Sequence, residues 1–462
     1  MTHSSTIAAI STPPGKGGVA VIRISGTEAA EICEGIFKPR GKTAPKDAKR
    51  TQIYGYIISD GELIDDVMLT YFPAPNSYTG EDVVEISCHG GVLVTSRVLG
   101  AVLRAGARRA EAGEFTRRAF VNGKLSLTEA DAIGLLLDAK SEGQLKLSRL
   151  DARERLGKRI DGIRESLTSL LGSVYARIDY PDEDLGDFTD EEMQAALENI
   201  LGDVRSLLST YRTGRAVRGG ISTAIAGKPN AGKSTLYNML TGSDSAIVTD
   251  IAGTTRDVLE SEVTLGDLYL RLFDTAGIRN ESTDVIEKIG IERSLERINT
   301  SELVLALFDS TSPLDREDEE LLKTLSDAPG EKIALLTKCD LEPQCVEKAK
   351  RIEAAIPTVL RITRDDRDGA VSLLSDAVKT LFTDGRINIS TDAVISSECQ
   401  HSALLSTDEA LASAISSLKS GLPSDLVCTE IEDALRHVSE LDGKEVSEMV
   451  VADIFSRFCV GK

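Results

Sequence analysis

The spacing of apolar and polar positions changes several times along the chain, and each change predicts a boundary. Over residues 1–123 the apolar positions fall into short β-like runs at Gly18–Ser25, Val67–Phe72 and Asp82–Ser87, broken by Gly/Pro turns. That pattern predicts an α+β domain. From about Leu125 the period becomes helical, with Thr128 and Asp131 resembling an N-cap arrangement ahead of Ala132–Ala139. Helical patterning continues to Tyr180, where the acidic run Asp179–Asp184 interrupts it. Thr189 and Glu192 then have the spacing of a capping box, opening a helix that reaches roughly Tyr211.

Residues 219–382 follow another rhythm. Strand-length apolar runs at Ile221–Ala226, Leu268–Phe273, Leu303–Phe308, Ile333–Leu336 and Thr358–Ile362 alternate with helical stretches. This predicts an α/β sheet with crossover helices. Leu265-Gly-Asp-Leu268 predicts a hairpin turn and therefore one antiparallel edge. After Gly385 the chain reads as helical again, with Val427, Ile431, Ala434 and Val438 on one face and Gly443 as a stop. The expected fold is multidomain, α+β and α/β: an α+β domain at 1–123, helical stretches at 124–218 and 383–462 that pack together, and an α/β domain at 219–382 inserted between them.

At 462 residues the chain is too long for one core, and its 41% hydrophobic and 27% charged residues are ordinary for a soluble protein. The longest apolar runs are strand-length, which predicts no membrane span. No basic region followed by an apolar run opens the chain. Seven scattered cysteines without a Cys-x-x-Cys pair, and only four histidines, argue against a zinc site or a disulfide framework. A reducing, cytoplasmic location is expected. The net charge of −21 predicts repulsion of nucleic acid over most of the surface, so contact with it must be local or shared with a partner. Basic residues cluster at Arg104–Lys124 and Lys146–Arg164, the second reading most simply as a solvated helix face.

The most informative chemistry is Gly227-Lys-Pro-Asn-Ala-Gly-Lys-Ser234, a complete phosphate-binding loop between a predicted strand and a predicted helix. Glycines let backbone N–H groups close around phosphate oxygens at the positive end of the new helix. Asn230, Ala231, Gly232, Lys233, Ser234 and Thr235 are the expected nucleotide contacts, with Lys233 supplying charge and the Ser234 hydroxyl a ligand for Mg²⁺. Asp274, Thr275, Ala276 and Gly277 follow another strand; an aspartate there reaches Mg²⁺ through water and a glycine N–H can sense the γ-phosphate. Thr337, Lys338, Cys339 and Asp340 follow a third strand, and Asp340 can accept two hydrogen bonds that guanine offers and adenine does not. Together these predict a GTPase.

Two positions depart from the usual pattern. Thr337 stands where the Asn-Lys-x-Asp tetrad has Asn, which predicts nucleotide binding weakened by about 0.5–1.5 kcal/mol with guanine preference retained. The last guanine element appears only as Thr363-Arg-Asp. Ile278 occupies the place of the water-orienting Gln of small GTPases, so another group must orient the nucleophile and a cation or partner must offset developing charge.

At this point the chain resembles the MnmE (TrmE) family of tRNA uridine-modification GTPases. The resemblance rests on Gly227–Ser234, on Thr249-Asp250-Ile251-Ala252-Gly253-Thr254-Thr255-Arg-Asp257, on Asp274–Gly277 followed by Glu287–Arg293, and on the terminal Phe458-Cys-Val-Gly-Lys462. It extends to Pro13–Gly26, Tyr78–Glu85 with His89-Gly-Gly91, and Gly113–Lys124. It implies an N-terminal domain that dimerises and binds a 5-formyltetrahydrofolate, a helical domain, and an inserted Ras-like phosphate-loop GTPase domain. By motif match Thr249 to Thr255 join the GTP contacts, and Ser234 and Thr255 take the Mg²⁺ positions. Asn230, Thr249, Ile251 and Thr254 match the oxygen donors to a K⁺ that replaces an arginine finger where two GTPase domains meet, and Glu287 matches the residue that orients water. Arg23, Glu85, Lys124 and Lys462 match folate contacts, and Cys459 matches the family's C-terminal cysteine, a catalytic candidate. The implied assembly is a homodimer joined by an MnmG (GidA)-type FAD protein into a heterotetramer. It acts on tRNA, adding a carboxymethylaminomethyl-type group to C5 of the wobble uridine with a one-carbon unit from methylene-tetrahydrofolate. The competing reading is a non-modifying RNA- or ribosome-assembly GTPase switch, which usually carries a Gly-x-x-Gly RNA-binding module or a second GTPase domain that this chain lacks.

Overall fold

The computed structural model describes residues 5–47, 49–179, 189–242, 261–273, 296–441 and Gly461. The chain divides into two compact units, Met1–Gly134 with Ser439–Lys462, and Leu135–Val438.

The first unit is built on a seven-stranded sheet in the order β3-β4-β5-β6-β2-β1-β7. Its strands are β1 (Ile7–Ile10), β2 (Val19–Ser25), β3 (Phe37–Pro39), β4 (Gln52–Ser59), β5 (Glu62–Phe72), β6 (Val83–His89) and β7 (Arg108–Arg109). Strict alternation sorts the side chains into two faces. Ala20, Ile22 and Ile24 of β2, Val67, Leu69 and Tyr71 of β5, and Val84, Ile86 and Cys88 of β6 share one core with α1 (Ala29–Ile36) and α2 (Val92–Arg104). Neither helix was legible among the turns of this region. Arg23 and Glu85 fall on the opposite face, where Ile7 and Ala9 of β1 pack with Phe115 of α3 (Glu114–Val121) and with Tyr78.

Helix α4 (Leu127–Leu137) begins two residues earlier than a Thr128 cap would set it. Ser126, not Thr128, caps it: the Glu129 amide donates to Ser126 Oγ, and the Ser126 amide to the Glu129 carboxylate. The Thr128 hydroxyl is drawn instead to the Leu441 carbonyl at 2.8 Å. The helical run expected to reach Tyr180 is broken twice, at Ser141, which caps α5 (Glu142–Ser148), and at the extended Arg149 before α6 (Leu150–Asp179). Thr189 and Glu192 do form a reciprocal capping box, opening α7 (Asp190–Ser209). A short α8 (Tyr211–Gly219) then leads into the sheet of the second unit.

That sheet has the order β13-β12-β11-β8-β10-β9, from β8 (Ile221–Gly227), β9 (Ser261–Leu265), β10 (Leu268–Leu272), β11 (Leu303–Asp309), β12 (Glu331–Thr337) and β13 (Thr358–Arg361). All neighbours pair in parallel except the β9–β10 hairpin, whose Gly266 (φ +60°) takes the first central position of a two-residue turn. The sheet is apolar on both faces, as a buried parallel sheet must be. Leu303, Leu305 and Leu307 face one core with α9 (Lys233–Thr241); Val304, Ala306 and Phe308 face a second core with α10 (Arg316–Asp327) and α11 (Val346–Ala355). Helix α12 (Arg367–Phe382) closes the first of these cores through Leu374 and Val378.

Helix α13 (Glu398–Lys419) lies along α7, joined by Arg205–Asp408 and Lys419–Glu198 ion pairs, and the Tyr211 ring stacks on His401 at 3.8 Å. In α14 (Ser424–Leu441) the anticipated face of Val427, Ile431, Ala434 and Val438 is fully buried. Gly443 and residues 180–184 lie outside the described residues. The basic run Lys146–Arg164 is largely a set of surface ion pairs, among them Arg155–Asp151 and Arg159–Asp203.

Helix α5 docks on the β9–β10 turn. Lys146 Nζ reaches Asp267 Oδ1 at 2.7 Å, Lys140 Nζ reaches Glu262 at 2.5 Å, and Ser141 Oγ donates to the Asp267 carbonyl at 3.1 Å. The approach requires glycine at 143, because a Cβ there would overlap the Asp267 carbonyl oxygen and sit 2.8 Å from Val217 Cγ1. Gly143→Ala is therefore expected to destabilise this unit by about 1–3 kcal/mol. The check is the denaturant midpoint of the purified chain, and an unshifted midpoint would contradict the contact.

Candidate functional site

The phosphate loop leaves the C-terminal end of β8, a central strand, at the edge where parallel α/β sheets bind ligands. Gly227 (φ +152°) passes so close to β11 that a Cβ would stand 2.8 Å from the Leu307 carbonyl oxygen. Asn230 (φ +61°) and Gly232 (φ +101°) are left-handed, and the turn they make delivers Lys233 to the first position of α9. Lys233 Nζ folds back over the loop and donates to the carbonyls of Gly227 (2.7 Å) and Lys228 (2.9 Å). Ala231 is buried, while Ser234 and Thr235 lie exposed on the first turn of α9. An exposed hydroxyl beside an ammonium group at a helix N-terminus fits a magnesium-bound polyphosphate.

The end of β12 supplies the second part. The Thr337 side chain is buried, its hydroxyl 2.8 Å from the Ala231 carbonyl of the phosphate loop and 3.3 Å from the Phe308 carbonyl. A hydroxyl has one hydrogen, and the shorter distance takes it. The residue expected to read the base less well thus ties the two loops together. Ser310 donates from both its hydroxyl (2.6 Å) and its amide (3.1 Å) to the Thr337 carbonyl, joining the end of β11 as well. Lys338 is left-handed (φ +57°) and its Nζ lies 2.5 Å from Asp309 Oδ2. Burial pushes the Asp309 carboxyl up, but Lys338 and the Thr311 hydroxyl and amide outweigh it and hold it at about 2. The Cys339 thiol points back to the Leu336 carbonyl at 3.2 Å, and Asp340 is exposed at the rim.

Asp309, Ser310 and Thr311 escaped the sequence reading. Their signal was available: three polar residues directly after an apolar strand, at the same sheet edge as the two recognised loops. Of the anticipated site, Thr249 to Thr255, Asp274 to Gly277, Glu287, Cys459 and Lys462 lie outside the described residues.

In the first unit, Arg23 and Glu85 stand directly opposite in the β2–β6 register and form an ion pair at 2.8 Å. The Arg23 guanidinium also lies over the Tyr78 ring (5.2 Å) and the Phe115 ring (5.8 Å), within cation–π range. Lys124 Nζ donates to the Pro75 carbonyl at 3.2 Å, and Asn122 Nδ2 to the Thr79 carbonyl at 2.7 Å. These two residues strap the β5–β6 loop carrying Tyr78. The same loop is fixed from below by Glu81, which accepts from Ser25 Oγ (2.8 Å) and Arg118 (2.9 Å). Gly461 meets the end of β1, where Ser11 Oγ donates to its carbonyl at 3.0 Å. The next strand residue toward Ile7 is Ala9, whose partner on β2 is Arg23. Arg23, Glu85 and Lys124 are thus gathered around one loop, with the penultimate residue of the chain alongside.

A left-handed glycine loop feeding a helix, with a lysine over it and an aspartate-bearing loop tied beside it, defines a phosphate-loop GTPase. Comparison with known proteins refines the class. Residues 6–124 match the model of the GTP-binding protein TrmE N-terminus, and residues 127–459 match the MnmE helical domain. The tRNA modification GTPase MnmE of Clostridioides difficile is 37% identical over all of this chain and all of its own length. Those of Lacticaseibacillus paracasei (38%, covering 100% of this chain and 99% of that one) and Thermotoga maritima (38%, 99% and 100%) are equally similar. The chain belongs to the MnmE family of tRNA modification GTPases. Among solved structures, the G domain of the T. maritima FeoB iron transporter aligns at 23% identity over 34% of this chain and 98% of that one, with a TM-score of 0.24.

Thr337→Val removes the only side-chain bond from β12 to the Ala231 carbonyl among the described residues. GDP binding measured by calorimetry is expected to weaken by about 1–3 kcal/mol, and wild-type affinity would refute the tether. A pH dependence follows from Glu114. Burial pushes its carboxyl up, but bonds from Arg108, the Glu111 amide and Arg118 outweigh burial and lower it from 4.5 to about 2. Because the folded value is depressed, this stabilisation is complete above the unfolded value and is lost as pH falls from about 4.5 toward 2. Thermal unfolding followed across that window should show the loss, and Glu114→Gln should flatten it.

Proposed function

We propose that this chain is a K⁺-stimulated GTPase that works as a homodimer and, with an MnmG-type flavoprotein, modifies C5 of the wobble uridine of certain tRNAs in the cytoplasm. The observation that carries the nucleotide part is the loop itself: Lys233 donating across left-handed backbone, with the Ser234 hydroxyl exposed beside it. Lys233 offers its charge to the outer phosphates; Ser234 and Thr255 would hold Mg²⁺, which would supply charge neutralisation at the phosphate oxygens. Asp340 accepts from the guanine ring N–H and amine. Glu287 orients the attacking water, the role left open by Ile278. Asn230, with Thr249, Ile251 and Thr254, offers oxygen donors to K⁺. These assignments follow the motif match of this chain's residues; the relatives' names carry only tRNA modification and GTPase activity.

The folate reading rests on Arg23, Glu85, Lys124 and Lys462. A carboxylate suits the aminopyrimidine edge of a pterin, and guanidinium and ammonium groups suit a glutamyl tail. The Arg23–Glu85 ion pair supports this by holding both side chains on one face of the sheet. Cys459, matched to the family's C-terminal cysteine, is kept as a catalytic candidate. The helical stretches 124–218 and 383–462 are read as one domain into which the GTPase domain 219–382 is inserted, supported by the α7–α13 ion pairs.

Steady-state GTP hydrolysis at matched K⁺ and Na⁺ tests the cation requirement, with a faster rate in K⁺ expected; equal rates would defeat it. In the same assay Glu287→Ala should retain GTP binding and lose about 10²–10³-fold in rate, and a normal rate would return Glu287 to a surface role.

A further inference from the structure

The phosphate loop is held from outside its own strand and helix by a group of charges that runs from the surface at Asp315 into the core at Asp318 and Lys348. Lys228, the second residue of the loop, extends Nζ to Asp315 Oδ2 at 2.5 Å and to Asp318 Oδ2 at 3.3 Å. Both carboxylates are fixed by backbone before they meet a lysine. Asp315 is the N-cap of α10, accepting the Asp318 amide at 2.9 Å, and Asp318 reaches back to the Asp315 amide. Hydrogen bonds from Lys228 and from the Asp318 amide hold the Asp315 carboxyl at about 2. Behind them lies Lys348 of α11, fully buried, with Nζ 2.6 Å from the same Asp318 oxygen. Its angles meet hydrogen-bond geometry neither with that oxygen nor with another acceptor among the described residues. Two ammonium groups therefore share one carboxylate oxygen, one sealed in the core and one on the nucleotide loop.

Such a pair is a poor device for stability alone. Desolvating an ammonium group offsets most of its attraction to a carboxylate, and an apolar side chain of similar volume would fill the same space without that cost. Lys348 does place a second fixed charge against the Asp318 oxygen that Lys228 meets. The Lys228 carbonyl in turn receives Lys233 Nζ at 2.9 Å. A continuous series of contacts thus runs from α11 through α10 to the Lys233 ammonium group. We infer that Lys348 is a positioning residue for nucleotide binding, acting through Asp318 and Lys228 to hold the loop backbone, and with it Lys233, in the geometry that receives phosphate.

The test uses the full chain, GDP titrated by calorimetry, and amide exchange across residues 228–233; wild-type binding first verifies the loop as the nucleotide site. Lys348→Met, matched in length, is expected to weaken GDP binding about 5–20-fold and to speed exchange in the loop. Lys228→Met should weaken GDP comparably. The double variant should be no weaker than Lys228→Met, since both act through one carboxylate. A lower melting temperature with wild-type affinity and loop exchange would make Lys348 merely structural and overturn the inference. Additive losses in the double variant would overturn it too. If Lys348→Met does not fold, Asp318→Asn and Lys228→Met carry the test, and unchanged GDP affinity in either is equally fatal.

Discussion

The hydrogen bond from the Thr337 hydroxyl to the Ala231 carbonyl joins parts of the chain 106 residues apart, and the rest of the nucleotide site is arranged around it. It is possible only because β8, β11 and β12 run parallel and in register, so that their last residues emerge at one edge. Small side chains assist: Ala226, Ala306 and Ala334 stand side by side across the three strands. Ser310 closes the arrangement from the middle strand by bonding the Thr337 carbonyl. The phosphate loop, the β11 end and the aspartate-bearing loop are thereby one hydrogen-bonded unit before any ligand contributes.

The same economy governs the N-terminal sheet. Period-two alternation sends Ile22, Ile24 and Ile86 into the helix-covered core and leaves Arg23 and Glu85 on the other face, so their pairing follows from register alone. What the register does not provide is the clamp on the β5–β6 loop. That comes from Arg118, Asn122 and Lys124, in and just after α3, a helix rich enough in charge to resemble a surface element. Glu114 and Arg118 are nevertheless buried, and each is matched by the other and by further partners.

Much of this was legible in the chain beforehand. Five of the six strands of the nucleotide-binding sheet, the β9–β10 turn and the Thr189 capping box follow from short-range chemistry: apolar runs, a glycine at a turn, a hydroxyl three residues before a carboxylate. The less legible features depend on distant partners. Thr128 has the right chemistry to cap α4 but is engaged by Leu441, far along the chain, which leaves Ser126 to do so. Thr337 reads from spacing as a defective base contact, whereas its burial against Ala231 is a property of the folded sheet. Lys348 carries no sequence signal at all, since a lysine on a charged helix is ordinarily at the surface.

The core beneath the β8–β12 sheet does not stop at the sheet's own helices. Leu135, Leu147, Ala216, Val217 and Val394 belong to the same apolar cluster as Leu305, Leu335 and Leu374. Severing the chain at 219 and 382 would strip that cover and leave a greasy underside open to water. A free-standing GTP-hydrolysing fragment would then be prone to self-association unless α8 and the strand-proximal turns were retained. In this protein the GTP-hydrolysing part and the helices that bracket it share a single oily interior.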